Sequence, residues 1–193
     1  FLSAEDKNFF SHPGVDAKGV LRAIINNISN YLSSKRLEGA STITQQVVKN
    51  FLLSKELSLE RKIKEIILAI RIEQVLSKDN ILELYLNDIY LGYGSYGVAA
   101  SSLNYFNKSL QELNLEEVAY LAALPKAPNN YHPLKNYNNA IARRNWVLDR
   151  MKSNDYISEE ELKVKKNKLI VMKRETIHPI NADYFREEVR KIL

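Results

Sequence analysis

Apolar and polar positions alternate with a helical period along most of the chain. In SLERKIKEIILAIRIEQVL, which starts at Ser58, Ile63, Ile66, Ile67 and Ile70 form an apolar stripe, and Arg61, Lys62, Lys64 and Glu65 line the rest. Ser58 is placed to cap the start of that helix. VLRAIINNISNYL (Val20 to Leu32), STITQQVVKNFLL and NILELYLNDIYL have the same spacing. Ser109 with Glu112, Asn114 with Glu117 and Ser158 with Glu161 mark further helix starts, each pairing a capping side chain with an acid three residues on. Ala140 to Met151 reads as another helix, and NADYFREEVRKIL as a closing one. Phe1 to about Phe10 predicts a helix that His12-Pro13-Gly14 ends. KLIVMK, Lys168 to Lys173, is the single convincing strand-like run. SSKRLEGA and LPKAPNNYHP are breaks.

The pattern predicts a mainly α-helical protein, and the scarcity of Gly and Pro (6 and 5 in 193 residues) agrees. With 45% hydrophobic and 26% charged residues, the chain has enough apolar material for a real core. Residues from about Ala17 to Leu37 predict a smaller sub-lobe, because their surface is mixed and their loop polar. The sequence starts without Met inside structured-looking residues, which predicts a domain excised from a longer protein.

Charge narrows the class of partner without choosing one. A net charge of +5 and a pI of about 9.2 suit nucleic acid, a phosphate-bearing substrate or an anionic membrane surface. The absence of Cys excludes a disulfide framework, a thiolate nucleophile and a cysteine metal site. No apolar run reaches the ~18 residues that a membrane-spanning helix needs. GYGSYG (Gly92 to Gly97) matches a dinucleotide-binding pattern literally, but helical sequence precedes it where a strand is required, so it reads as a turn between helices. His12, His132 and His178 are far apart and none has a neighbour at metal-ligand spacing.

Four segments carry candidate chemistry. In SAEDKNFFSHPGVD (Ser3 to Asp16), Glu5 and Asp6 are adjacent. On a helix they point about 100° apart and cannot serve one reacting atom. Glu5, Phe9 and His12 would share a face, and a carboxylate screened by an aromatic has its pKa pushed up toward a general base. The same Glu5 also fits a solvated first-turn acid favoured by the helix dipole. In GASTITQQ (Gly39 to Gln46), Ser41, Thr42, Thr44, Gln45 and Gln46 suit a wall that binds a polyhydroxylated ligand, or an exposed helix start capped by Ser41 or Thr42. RKIKE (Arg61 to Glu65) reads as a phosphate clamp or as ordinary pairing on a wet face. RRNWVL, with Arg143 and Arg144, could join that clamp or decorate a surface helix.

Taken together, EDKNFFSHPG, GASTITQQ, RKIKE, ELYLN (Glu83 to Asn87) and RRNWVL resemble, in order, the five signature motifs of the family 51 peptidoglycan glycosyltransferases. These are the polymerase domains of class A penicillin-binding proteins and of their monofunctional relatives. The resemblance covers essentially the whole chain, as one domain over residues 1–193. It implies a lysozyme-like helical head with a small membrane-facing jaw over about 17–37, and over 168–193 the start of a linker toward a transpeptidase domain. Ser-x-x-Lys and Lys-Thr-Gly of such a domain do not occur in this chain.

The implied substrate is lipid II, polymerised on the outer face of the bacterial cytoplasmic membrane into β-1,4 glycan with release of undecaprenyl pyrophosphate. The implied partners are lipid II, the nascent glycan and moenomycin-type inhibitors, with no nucleic acid. By the resemblance, Glu5 takes the acceptor proton, Asp6 fixes its segment, and Glu65 acts on the donor side. Lys62 with Arg143 and Arg144 supplies cations to the pyrophosphate, beside Arg61. Ser41, Thr42, Gln45, Gln46 and Lys49 line the cleft, Phe9 and His12 shape it, and ELYLN is scaffold. No cofactor is obligatory, and a divalent cation (Mg or Mn) at the donor pyrophosphate is compatible with the chemistry. The rival enzyme class is a lysozyme-like glycan hydrolase using Glu5 as general acid.

Overall fold

The computed structural model describes residues 1–32, 39–53 and 58–173, and the side chains of 29–32 lie outside that description. Among the described residues there are nine α-helices and no β-strand, only an isolated bridge between Tyr90 and Tyr96. The helices are α1 (Leu2–Glu5), α2 (Ala17–Leu32), α3 (Ile43–Leu52), α4 (Leu59–Ile72), α5 (Lys78–Asp88), α6 (Val98–Phe106), α7 (Leu115–Ala123), α8 (Tyr137–Ser153) and α9 (Glu159–Lys166). The mainly helical class predicted from the periodicity is the one observed.

Local capping chemistry sets most starts. The Thr42 hydroxyl accepts the Gln45 N–H at 3.1 Å while Gln45 Oε1 accepts the Thr42 N–H at 2.9 Å, a reciprocal box at the head of α3. Ser58, Ser77 and Ser158 cap α4, α5 and α9 through their hydroxyls. Asn114 and Glu117 box α7, whereas the Ser109–Glu112 box heads only a 3-10 turn, Leu110–Glu112. GYGSYG is a turn: Gly92, Tyr93, Gly94 and Gly97 all have positive φ. A Cβ on Gly97 would stand 2.5 Å from the Asn87 carbonyl oxygen, so glycine is required there.

Three elements differ from the sequence expectation. The first helix does not reach Phe10. It ends at Glu5 because Asp6 takes φ −159° and ψ 77°, and a 3-10 turn follows at Phe9–Ser11. Glu5, Phe9 and His12 therefore do not share a helical face. KLIVMK is not a strand: Ile170 is buried while Leu169 and Val171 are exposed, so the alternation is real, but among the described residues no strand pairs with it. The apolar stripe of α4 is not its packed face. Ile63, Ile67 and Ile70 are exposed, and Glu65 and Ala69 are buried instead. The predicted closing helix, NADYFREEVRKIL, lies outside the described residues, as does the end of the predicted jaw at 33–37.

The core forms where α3 packs on α4 and α5, and where α7 packs on α8. Ile43, Val47, Ile81, Tyr85, Tyr105, Phe106, Tyr120 and Leu124 fill one cluster, and Ala119, Ala123, Val147 and Leu148 a second. Phe1 packs against both. Tyr105 and Tyr120 meet edge to face at 5.6 Å, and their hydroxyls donate to the carbonyls of Leu91 and Tyr131, so no polar cost is left behind. The short α1 packs against α8, which sets Glu5 and Arg143 toward the same space.

Candidate active site

A cavity of about 290 Å³ opens between α1, the start of α2, the segment before α3, the α3 surface and α8. Its lining includes Glu5, Asp6, Ser41, Thr42, Gln46, Lys49, Lys126, Arg143, Trp146 and Arg150. Hydroxyls, amides and cations dominate this surface, which suits a polar, anionic ligand.

Glu5 ends α1 and is half-buried. Gln46 Nε2 donates to its Oε2 at 3.1 Å, so an amide from α3 orients the carboxylate within the cavity. Asp6 is 7% exposed and is bonded into the wall of the cavity. Its Oδ2 accepts the Ile43 N–H at 3.0 Å, at the N-terminus of α3. His12 Nε2 stands 3.0 and 3.1 Å from its two oxygens. His12 Nδ1 accepts the Gly14 N–H, which assigns the donated proton to Nε2. Burial holds the Asp6 carboxyl above its ordinary value, against the pull of the Ile43 N–H and of His12.

The second acid, Glu65, is 3% exposed and is held by cations of its own helix. Lys62 Nζ bonds its Oε1, and Arg61 approaches Oε2 at 4.0 Å. Lys62 Nζ also donates to Ser41 Oγ at 2.9 Å, so this charged group reaches the cavity wall through Ser41. Lys49, in the last turn of α3, adds a cation to the same cavity.

On the opposite side, Arg143 stacks on Trp146 with its guanidinium carbon 3.9 Å from the ring centre, and Arg150 lies at 5.6 Å. The buried Nε atoms of both arginines have no hydrogen-bond partner among the described residues. Burial lowers the Arg143 pKa, and the Glu5 carboxylate opposes that shift.

Four expected cleft residues are committed elsewhere. Arg144 is fully buried and donates to the carbonyls of Lys166 (2.9 Å) and Lys168 (2.5 Å), closing the C-terminus of α9. It is a structural cation, not a member of the clamp. Phe9 is 1% exposed inside the core, and His12 is buried against Asp6. Gln45 is spent on the α3 cap. Thr42 has a double duty: besides capping, its hydroxyl donates to the Gly14 carbonyl at 2.6 Å, behind the cavity wall that it joins.

Sequence reasoning missed Arg150 and Lys126. Arg143, Trp146 and Arg150 are spaced i, i+3 and i+7 on α8, which was a readable signal for one face. Lys126 lies within the Pro-rich break and carries no local signal. Among the described residues no group of three or more His, Asp and Glu side chains converges as a metal site.

The model of the transglycosylase family matches residues 1–152. Penicillin-binding protein 1A of Rickettsia prowazekii is 54% identical over 192 residues, covering 99% of this chain and 24% of that protein. Penicillin-binding protein 1A of Escherichia coli is 47% identical over 189 residues, covering 98% of this chain and 21% of that protein. The chain thus spans about a quarter of the length of these curated relatives. The crystal structure of penicillin-binding protein 1A from Haemophilus influenzae superposes with a TM-score of 0.51 at 41% identity, covering 78% of this chain and 20% of that one. The family match over residues 1–152, together with relatives about half identical over nearly the whole chain, places this protein in the transglycosylase family, the peptidoglycan glycosyltransferases.

Proposed function

We propose that the cavity polymerises lipid II, with Glu5 as the general base. The observation that carries this reading is the setting of Glu5: a carboxylate oriented by Gln46 in a polar cavity, with Lys49 and the Lys62–Ser41 pair on one side and Arg143 on the other. A single in-line displacement meets the chemistry. The acceptor 4-hydroxyl oxygen bonds to the donor's anomeric carbon as its bond to the pyrophosphate oxygen breaks, and α becomes β. Glu5 takes the hydroxyl proton, and the pyrophosphate leaves with the bonding electrons. Charge that grows on the leaving group needs fixed cations. Lys62, Arg61, Lys49 and Arg143 are the side chains offered for it. Glu65 acts by holding Lys62 and Arg61 in place.

Among the described residues no group of carboxylates and histidines converges as a metal cage, and Glu65 is paired with Lys62 and Arg61. A divalent ion, where one takes part, would be carried largely by the substrate's pyrophosphate oxygens, and no step is assigned to it.

The reading also puts the domain against a membrane surface, on the outer face of the cytoplasmic membrane. Leu21, Ile24, Ile25 and Ile28 of α2 are exposed on one face, as are Leu59, Ile63, Ile67 and Ile70 of α4. No described helix is long and apolar enough to cross a bilayer, so these faces fit contact with the lipid surface that carries the substrate. Moenomycin-type phosphoglycolipids would compete in the same cavity.

A lipid II turnover assay separates this reading from a hydrolase. Polymer formed without shortening of preformed glycan is the expected outcome. Shortening of preformed glycan alone would contradict it.

A further inference from the structure

Behind the cavity, two ions occupy the wrong ends of their helices. Glu73 follows the last turn of α4, where the helix dipole disfavours an acid, and Lys78 opens α5, where it disfavours a cation. They are joined to each other, with Lys78 Nζ 2.6 Å from Glu73 Oε1. Each also holds a further group. Lys78 Nζ donates to the His12 carbonyl at 2.7 Å and lies 4.4 Å from the centre of the Phe9 ring. Glu73 Oε1 accepts the hydroxyl of buried Thr44 at 2.6 Å.

These contacts close a ring. Asp6 binds the Ile43 N–H, Ile43 precedes Thr44, Thr44 binds Glu73, Glu73 binds Lys78, Lys78 binds the His12 carbonyl, and the His12 ring binds Asp6. Thr44, Glu73 and Lys78 do not line the cavity. The ring ties the segment after α1 to the first turn of α3 and to the α4–α5 junction. It fixes the residue at which α1 breaks, and that break sets the direction of the neighbouring Glu5.

We propose that Lys78 and Glu73 are positioning residues for Glu5, acting through the Asp6–His12 pair. The proposal rests on the reading of Glu5 as the base. Lys78→Met keeps an unbranched side chain of similar length beside Phe9 and removes the ammonium with both of its polar contacts. Glu73→Gln weakens the ring more gently and serves should Lys78→Met fold poorly, and Lys78→Arg keeps donors to both oxygens.

Two readouts on the intact protein test it. In lipid II polymerisation, Lys78→Met should lower kcat by about 10- to 100-fold with KM changed less than about 2-fold, and Lys78→Arg should restore most of the rate. In NMR of histidine-labelled protein, the His12 Nε2–H signal should weaken in Lys78→Met through faster exchange with water and persist in Lys78→Arg. An unchanged kcat in folded Lys78→Met and Glu73→Gln would overturn the proposal. A rate loss that leaves the His12 signal as in the wild type would overturn it too, since only a general loss of stability would then be at work. If the wild type does not polymerise lipid II, the base assignment is what fails, and the His12 signal then decides the ring by itself.

Discussion

Asp6 Oδ2 lies 3.0 Å from the backbone nitrogen of Ile43, a bond that spans 37 residues and joins the end of α1 to the start of α3. One of two adjacent acids is thus bonded into the cavity wall that it helps to organise, and the other is left open to the cavity. Helical geometry predicted that the two could not share a task. The reason is stronger than a 100° rotation, because Asp6 is where the helix ends.

The Asp6 carboxyl gives a signed pH dependence. Burial holds it above its ordinary 3.8 despite Ile43, His12 and Lys78. A raised carboxyl stabilises the fold in its protonated form, fully below that ordinary value, and the contribution fades as pH rises through the folded value. Wild type should therefore lose stability relative to Asp6→Asn as pH rises through that window. Urea melts of both proteins between about pH 3 and about pH 7 check this. The opposite trend would mean that the Ile43 and His12 bonds outweigh burial.

Arg143 and Arg144 should separate cleanly. Arg144→Ala removes a fully buried side chain and the donor to the carbonyls of Lys166 and Lys168, a cost on the order of 3 kcal/mol. Thermal melting should register that loss, while turnover per folded molecule stays near wild type. Arg143→Ala should show the reverse, with a small change in melting temperature and weaker substrate use.

These two arginines also mark the limit of what the chain discloses. Caps were legible because Asn114 with Glu117 and Ser158 with Glu161 act within one turn, whereas the Thr42–Gln45 box emerged only in the structure. The helical class followed from the apolar period, and the motif set led to a cavity that holds Glu5, Ser41, Gln46, Lys49 and Arg143. Three things depended on contacts far along the chain. Asp6 leaves the helix for a nitrogen in α3. Arg144 is claimed by the end of α9, although its neighbour of the same type faces the cavity. The stripe of α4 looked like a core face, yet the buried side holds Glu65 with its two cations.

Glu65→Gln should reduce polymerisation by roughly 100-fold while the fold survives, because Lys62 and Arg61, the cations proposed for the leaving group, lose the carboxylate that holds them. Steady-state rates paired with circular dichroism check this. An effect on melting alone would remove the donor-side role.

Ile24→Asp with Ile28→Asp should leave the melting temperature nearly unchanged, since both side chains are exposed. Binding to anionic vesicles and turnover of bilayer-embedded lipid II should both fall. Unaltered vesicle binding would remove α2 from the membrane contact.

The central claim is that Glu5 takes the acceptor proton. The direct measurement is the lipid II polymerisation rate of Glu5→Gln, a change that keeps the shape and leaves the Gln46 amide something to bond. Loss of the general base should cost about 100-fold or more, with circular dichroism and melting unchanged. A folded Glu5→Gln protein that polymerises near the wild-type rate would contradict the account.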